Sequence, residues 1–97
     1  MAWRLSAKAE DDIIAIYIES ARLFGESQAD TYHAGFETAF RFLSDNPRAA
    51  RERIELSPPV RVHPCGSHVI IYTLEENDDA LIVRIRHGRE DWQLHPL

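Results

Sequence analysis

The apolar residues repeat at helical spacing through the first half of the chain and at strand spacing beyond Pro47, so the polypeptide has to set a helical layer against a sheet. From Ala9 to about Phe24, the residues Ala9, Ile13, Ile16, Tyr17 and Ser20 fall on one stripe of an amphipathic helix. Ser6 suits its N-cap, and Glu10, Asp11 and Asp12 lie in the first turn, where the helix dipole favours negative charge. Gly25 suits the position just past its end. Ser27-Gln28-Ala29-Asp30 then has the form of a capping box with Asp in place of Glu. A second stripe follows, Ala29, Tyr32, Phe36, Ala39, Phe40 and Leu43, and Asp45-Asn46-Pro47 stops it. With only Gly25-Glu26 between them, the two helices are expected to form an antiparallel hairpin.

The remaining segments read as strands. Ala2-Trp3-Arg4-Leu5 alternates and precedes the first helix. Residues 48–59 are first Arg-rich and then Pro-rich, which predicts a surface connection with one helical turn around Arg51-Glu52-Arg53. Val60-Arg61-Val62, His68 to Leu74 and Leu81 to His87 are rich in β-branched residues, and Glu75-Glu76-Asn77-Asp78-Asp79 makes an acidic turn between the last two. The fold class is α+β, in the order β-α-α-β-β-β, as one domain over residues 1–97 with the helix hairpin on one face of an antiparallel sheet. Strict alternation would turn Leu81, Val83, Ile85 and His87 towards the helices and Ile82, Arg84 and Arg86 outward.

Composition narrows the function. At 44% apolar and 28% charged residues the chain is of globular type. A single cysteine, Cys65, rules out an internal disulfide. Met1-Ala2-Trp3-Arg4-Leu5-Ser6 has no apolar signal-peptide core, and no apolar run approaches the roughly 20 residues that span a bilayer, so a cytoplasmic protein without membrane contact is expected. The net charge of −5, with Lys8 the only lysine, argues against direct nucleic-acid binding through phosphates. The second half nevertheless carries seven arginines, and four of its eight acids are confined to the 75–79 turn.

The order of motifs carries further information. Trp3-x-Leu5-Ser6 leads to Ala9-x-x-Asp12-Ile13-x-x-Ile16-Tyr17, then to Ala29-x-x-Tyr32 and Leu43-Ser44-x-Asn46-Pro47, and then to Arg51-x-Arg53. The second half supplies Val60-Arg61-x-x-Pro64, His68-Val69-Ile70-x-Tyr72 and Val83-Arg84-Ile85-Arg86-His87-Gly88-Arg89-Glu90-Asp91-Trp92. Over nearly its whole length this resembles the ParE-type toxins of the RelE/ParE superfamily, components of type II toxin–antitoxin modules. It departs from them at Ala50, where many relatives have Gly, and in a longer stretch between Arg53 and Val60. The resemblance implies a non-enzymatic toxin, with DNA gyrase as the target. It also implies a ParD-like ribbon-helix-helix antitoxin that wraps the toxin in a hetero-oligomer, and no cofactor.

The residues expected to meet a partner are Arg61, Arg84, Arg86, His87, Arg89 and Trp92. Arginine pairs bidentately with carboxylates, which suits an acidic antitoxin segment. Each also has a plainer reading: the arginines as solvated or paired with Glu90 and Asp91, and Trp92 as a structural plug. No catalytic residue is assigned. The competing reading is a ribosome-dependent mRNA endonuclease of the RelE branch, in which Arg61, Arg84 or Arg86, and His87 would serve the phosphoryl chemistry. The acidic balance and the lack of a terminal Tyr or Lys after His87 count against it. The cluster His63-Pro64-Cys65-Gly66-Ser67-His68 matches no zinc spacing and reads as a turn between strands, so no metal is expected.

Overall fold

The structure, a computed structural model, describes residues 2–97; Met1, part of the N-terminal stretch read above, lies outside them. The elements follow the expected order: β1 (Trp3–Leu5), α1 (Ala7–Phe24), α2 (Glu26–Asp45), β2 (Arg61–Cys65), β3 (His68–Leu74) and β4 (Ala80–His87). They build one four-stranded sheet in the order β1-β4-β3-β2. The three later strands are antiparallel, as anticipated, whereas β1 runs parallel to β4 and makes the sheet mixed.

Ser6 caps α1 as its identity predicts. Its Oγ accepts from the Ala9 N–H at 3.0 Å and donates to the Val83 carbonyl at 2.8 Å, and its own N–H donates to Ile82 O. One residue thus starts the helix and ties it to the sheet. Gly25 alone joins the helices, at φ 91°, a conformation that glycine adopts without a Cβ penalty. The capping box does not form: α2 begins already at Glu26, so Ser27 lies inside its first turn, and Asp30 accepts instead from the Tyr17 hydroxyl. The helical turn expected around Arg51–Arg53 is also absent, because the Arg53 N–H donates to Val60 O and draws that stretch alongside β2.

The core lies between hairpin and sheet, with Ala9 and Ile13 of α1, Phe36, Ala39, Phe40 and Leu43 of α2, and Ile70, Tyr72, Ala80, Ile82 and Ile85 of the strands. Burial of each large aliphatic side chain there contributes about 1.5–3 kcal/mol. The buried Tyr72 hydroxyl donates to Pro47 O at 3.0 Å and so anchors the exit of α2 to the sheet.

The simple alternation along β4 fails at one place. Ile71 pairs with Arg84 and Tyr72 with Ile82, which leaves Val83 as the extra residue of a β-bulge. The bulge shifts the phase by one. Ile82 therefore joins Ala80 and Ile85 under the helices, and Val83 turns to the opposite face, reversing the expectation for both. That opposite face is not a solvated row of arginines either. Val60, Val62, Ile71 and Trp92, with Leu56, Val69 and Val83, form a second apolar cluster that the 53–60 connection and the segment after β4 cover.

Candidate functional site

Where β1 ends at Leu5, the outer edge of β4 loses its strand partner, and side chains complete it. Asp12 of α1 accepts from the Ile85 N–H at 2.9 Å and takes the Arg84 guanidinium in a bidentate pair at 2.7 and 3.0 Å. Glu90 accepts from the His87 N–H at 2.7 Å and pairs with Arg86 at 3.0 Å. Arg84 also donates to Leu97 O and Arg86 to His95 O, so both arginines hold the final segment over the sheet.

Beside this edge, the C-terminal half of α1, the start of α2 and the β3–β4 end enclose a cavity of about 560 Å³. Its α1 wall is mostly apolar, with Ala15, Ile16, Leu23 and Phe24 beside Glu19 and Ser20, and its floor carries Tyr32, Ser67, His68 and His87. A smaller cavity of about 250 Å³ adjoins it, sharing Ala15, Ile16, His68 and His87 and reaching Asp12, Arg84, Arg86 and Glu90. Together they form one groove along α1 with an apolar end and a charged end. Phe24 and Leu23 are 69% and 54% exposed at the apolar end, while Ile14 and Ile18 are exposed one helical turn apart on α1. Leu23 and Phe24, large apolar side chains left in water at the groove itself, mark an interaction surface.

The floor is held firmly. The Tyr32 hydroxyl lies 2.7 Å from His68 Nδ1 and accepts from the Ser67 N–H at 3.0 Å. Gly66 turns the β2–β3 hairpin at φ 59°, and a Cβ there would sit 2.7 Å from the Tyr32 ring. The rings of His68 and His87 meet edge to face with centroids 5.2 Å apart. Burial, reinforced by His87, pushes the His68 imidazole below its usual pKa, with Glu90 opposing.

The six residues expected to meet a partner fall in three places. Arg84, Arg86 and His87 line the groove, and Arg89 is exposed on the turn just beyond it. Arg61 lies at the far end of the sheet, where its guanidinium donates to Ala50 O at 2.6 Å. Trp92 is 6% exposed in the second apolar cluster, with the Arg53 guanidinium 5.7 Å from its ring centre, as its plug reading anticipated. The sequence places Tyr32 in an apolar helical stripe and His68 beside a turn; in the structure both form the groove floor. The signal available was a tyrosine, with its polar tip, in an otherwise apolar helical stripe. His63, Cys65 and His68 do not converge: His63 stacks on Phe42, Cys65 faces Gly35 O and His68 faces Tyr32. Among the described residues no group of three His, Cys, Asp or Glu side chains is placed to hold a metal ion.

A helix hairpin over a mixed sheet in this strand order, with an open groove along the first helix, defines a small α+β protein built to hold a partner on one face. Comparison with known proteins identifies the family. Residues 3–92 match the family described as the ParE toxin of type II toxin-antitoxin system, parDE. Toxin ParE of Escherichia coli is 30% identical over 90 residues, covering 93% of this chain and 87% of that relative. The solved structure of a chromosomal ParDE TA system from P. aeruginosa shares the fold, with a TM-score of 0.77 at 20% identity, over 90% of this chain and 95% of that one. The chain belongs to the ParE toxin family, and is the toxin of a ParDE type II toxin–antitoxin system.

Proposed function

We propose that this toxin arrests growth by binding DNA gyrase without covalent chemistry, stalling it on DNA, and that a ParD-like ribbon-helix-helix antitoxin neutralises it. The observation that carries this reading is the groove, an open channel lined by Ile16, Leu23 and Phe24 and ending in charged groups. Such a channel suits an amphipathic segment of a protein partner, laid along α1 with its apolar side chains inward. Arg84, Arg86, His87 and Arg89 meet the partner at its charged end, while Arg61 and Trp92 lie away from the groove, at the far end of the sheet and in the second apolar cluster. The toxin works in the cytoplasm as part of a hetero-oligomer; no helix among the described residues is long and apolar enough to cross a membrane.

Phosphoryl transfer would need cations free to meet a developing phosphorane. Arg84 and Arg86 are held instead by Asp12 and Glu90, which favours binding over RelE-type cleavage. The two readings separate in one assay. Purified toxin is expected to block gyrase supercoiling of plasmid DNA while leaving ribosome-bound message intact. Cleaved message with unaffected gyrase would overturn the proposal.

A further inference from the structure

The groove floor has an unused recognition capacity. The His68 Nδ1 faces the Tyr32 hydroxyl, and the His87 Nδ1 accepts from the Arg89 N–H at 3.1 Å. The Arg89 contact fixes the neutral His87 with its proton on Nε2, whereas at His68 the Tyr32 hydroxyl can donate to Nδ1 or accept from it, and a protonated His68 carries N–H on both nitrogens. Neither Nε2 has a partner, and since every buried side-chain nitrogen or oxygen among the described residues has one, both are open to solvent. They line the same cavity, beside the apolar wall of α1.

The charges facing them balance. Asp12 and Glu19 of α1 are matched by Arg84 and Arg22 at 2.7 and 2.6 Å, and Glu90 beyond β4 is matched by Arg86 at 3.0 Å. From α2 only the Tyr32 hydroxyl reaches the pair. Ser20, Gln28 and Ser67 also line the cavity as neutral polar groups, so with the carboxylates matched a proton on His68 is the groove's unmatched charge.

His87 Nδ1 is occupied by the Arg89 N–H. At His68 the hydroxyl of Tyr32 can reverse, accepting from Nδ1–H and donating instead to Cys65 O, which lies at 3.4 Å. A second acceptor thus stands ready for the displaced hydroxyl proton. We propose that His68 and His87 form a recognition site for a carboxylate carried on an apolar segment of the protein partner, and that His68 takes up a proton as the carboxylate binds. This rests on the reading that a partner fills the groove. The wall selects the segment's apolar part, the two Nε2–H donors select its carboxylate, and the low dielectric beside Ile16 strengthens the ion pair. Burial and His87 disfavour the charged form of His68 until the carboxylate arrives, so binding strengthens as pH falls towards the histidine range.

The test uses 4-phenylbutyrate, an apolar ring ending in a carboxylate, against its uncharged amide, followed by NMR of the whole protein with labelled histidine side chains. The carboxylate is expected to shift the His68 and His87 Nε2 signals saturably and to bind at least fivefold more tightly than the amide at pH 6. That advantage should shrink at pH 8 and disappear in His68→Gln. Equal binding of acid and amide, an advantage unchanged between pH 6 and pH 8, or shifts confined to the exposed arginines would overturn the proposal. Should His68→Gln fail to fold, the pH series on the unaltered protein decides alone. Gyrase inhibition and antitoxin capture are read separately, so a partner bound with both histidines untouched would sink this site and leave the toxin reading standing.

Discussion

Asp12 is expected to be the side chain on which the open edge of β4 depends. Asp12→Ala removes a bidentate partner from Arg84 and the only acceptor for the Ile85 N–H. Breaking a buried ion pair on one side costs about 3–5 kcal/mol, and an orphaned buried amide about 1–3 kcal/mol. The side chains of Arg84 and Asp12 keep 20% and 15% of their exposure, so water softens the loss, and a net cost of about 3 kcal/mol follows. For a domain of this size, with total stability of about 5–10 kcal/mol, that is a large share. With a urea m-value of about 1 kcal/mol per molar, the unfolding midpoint should fall by about 3 M. Asp12→Asn keeps an acceptor for the amide and loses only the charge, so it should cost about 1–2 kcal/mol. The double change Asp12→Leu with Arg84→Met removes both charges and should recover at least half of the Asp12→Ala loss. Urea unfolding followed by circular dichroism measures all three. An Asp12→Ala variant within 0.5 kcal/mol of the parent would refute the assignment of β4's edge to this side chain.

Further outcomes follow from the same contacts. Trp92→Ala should cost about 3 kcal/mol by opening the second apolar cluster, seen as a thermal midpoint lowered by more than about 10 °C. Gly66→Ala forces a Cβ into the Tyr32 ring at positive φ, so it should lower the urea midpoint and shift the His68 signals in NMR spectra, whereas Gly35→Ala, with open space around it, should not. The His68 pKa is depressed in the folded state, chiefly by burial, so the unfolded chain binds the extra proton first. Stability should therefore fall as pH drops below about 6.5, the usual imidazole value, and His68→Gln should flatten that decline in urea midpoints measured across the range. Phe24→Ser, at a side chain 69% exposed, should leave stability within about 0.5 kcal/mol yet weaken antitoxin capture at least tenfold in a binding titration.

The parts of the fold set by local spacing are legible in the sequence. Most of the second helical stripe packs against the sheet, as do Ala9, Ile13 and Ile16 of the first, while Tyr17 turns to α2; Ser6 caps α1, Gly25 makes the joint, and the acidic turn links β3 to β4. What depends on pairing between distant segments is not. The bulge at Val83 appears only when β4 is laid against β3, because the extra residue has no counterpart within its own strand. The capping box fails because Gly25 ends one helix and starts the next, leaving Ser27 no place outside the helix. The opposite sheet face reads as arginine-rich in isolation, yet Trp92 and Leu56 arrive from outside the strands to cover it. The groove combines residues 15–32 with residues 67–68 and 87, so no window along the chain contains it. Arg84, Arg86 and His87 are legible as a group because they share one strand. Their carboxylate partners are only half legible: Glu90 is four residues from Arg86, but Asp12 lies on α1, far from Arg84 in sequence.

The central claim is that the groove along α1 receives the protein partner. Hydrogen exchange of the toxin, alone and with a saturating ParD-like antitoxin, tests it most directly. New protection is expected in residues 15–28, 67–68 and 86–90, with the 48–60 connection little changed. Protection confined to the 48–60 connection and the segment beyond Trp92, with α1 exchanging as in the free protein, would contradict it.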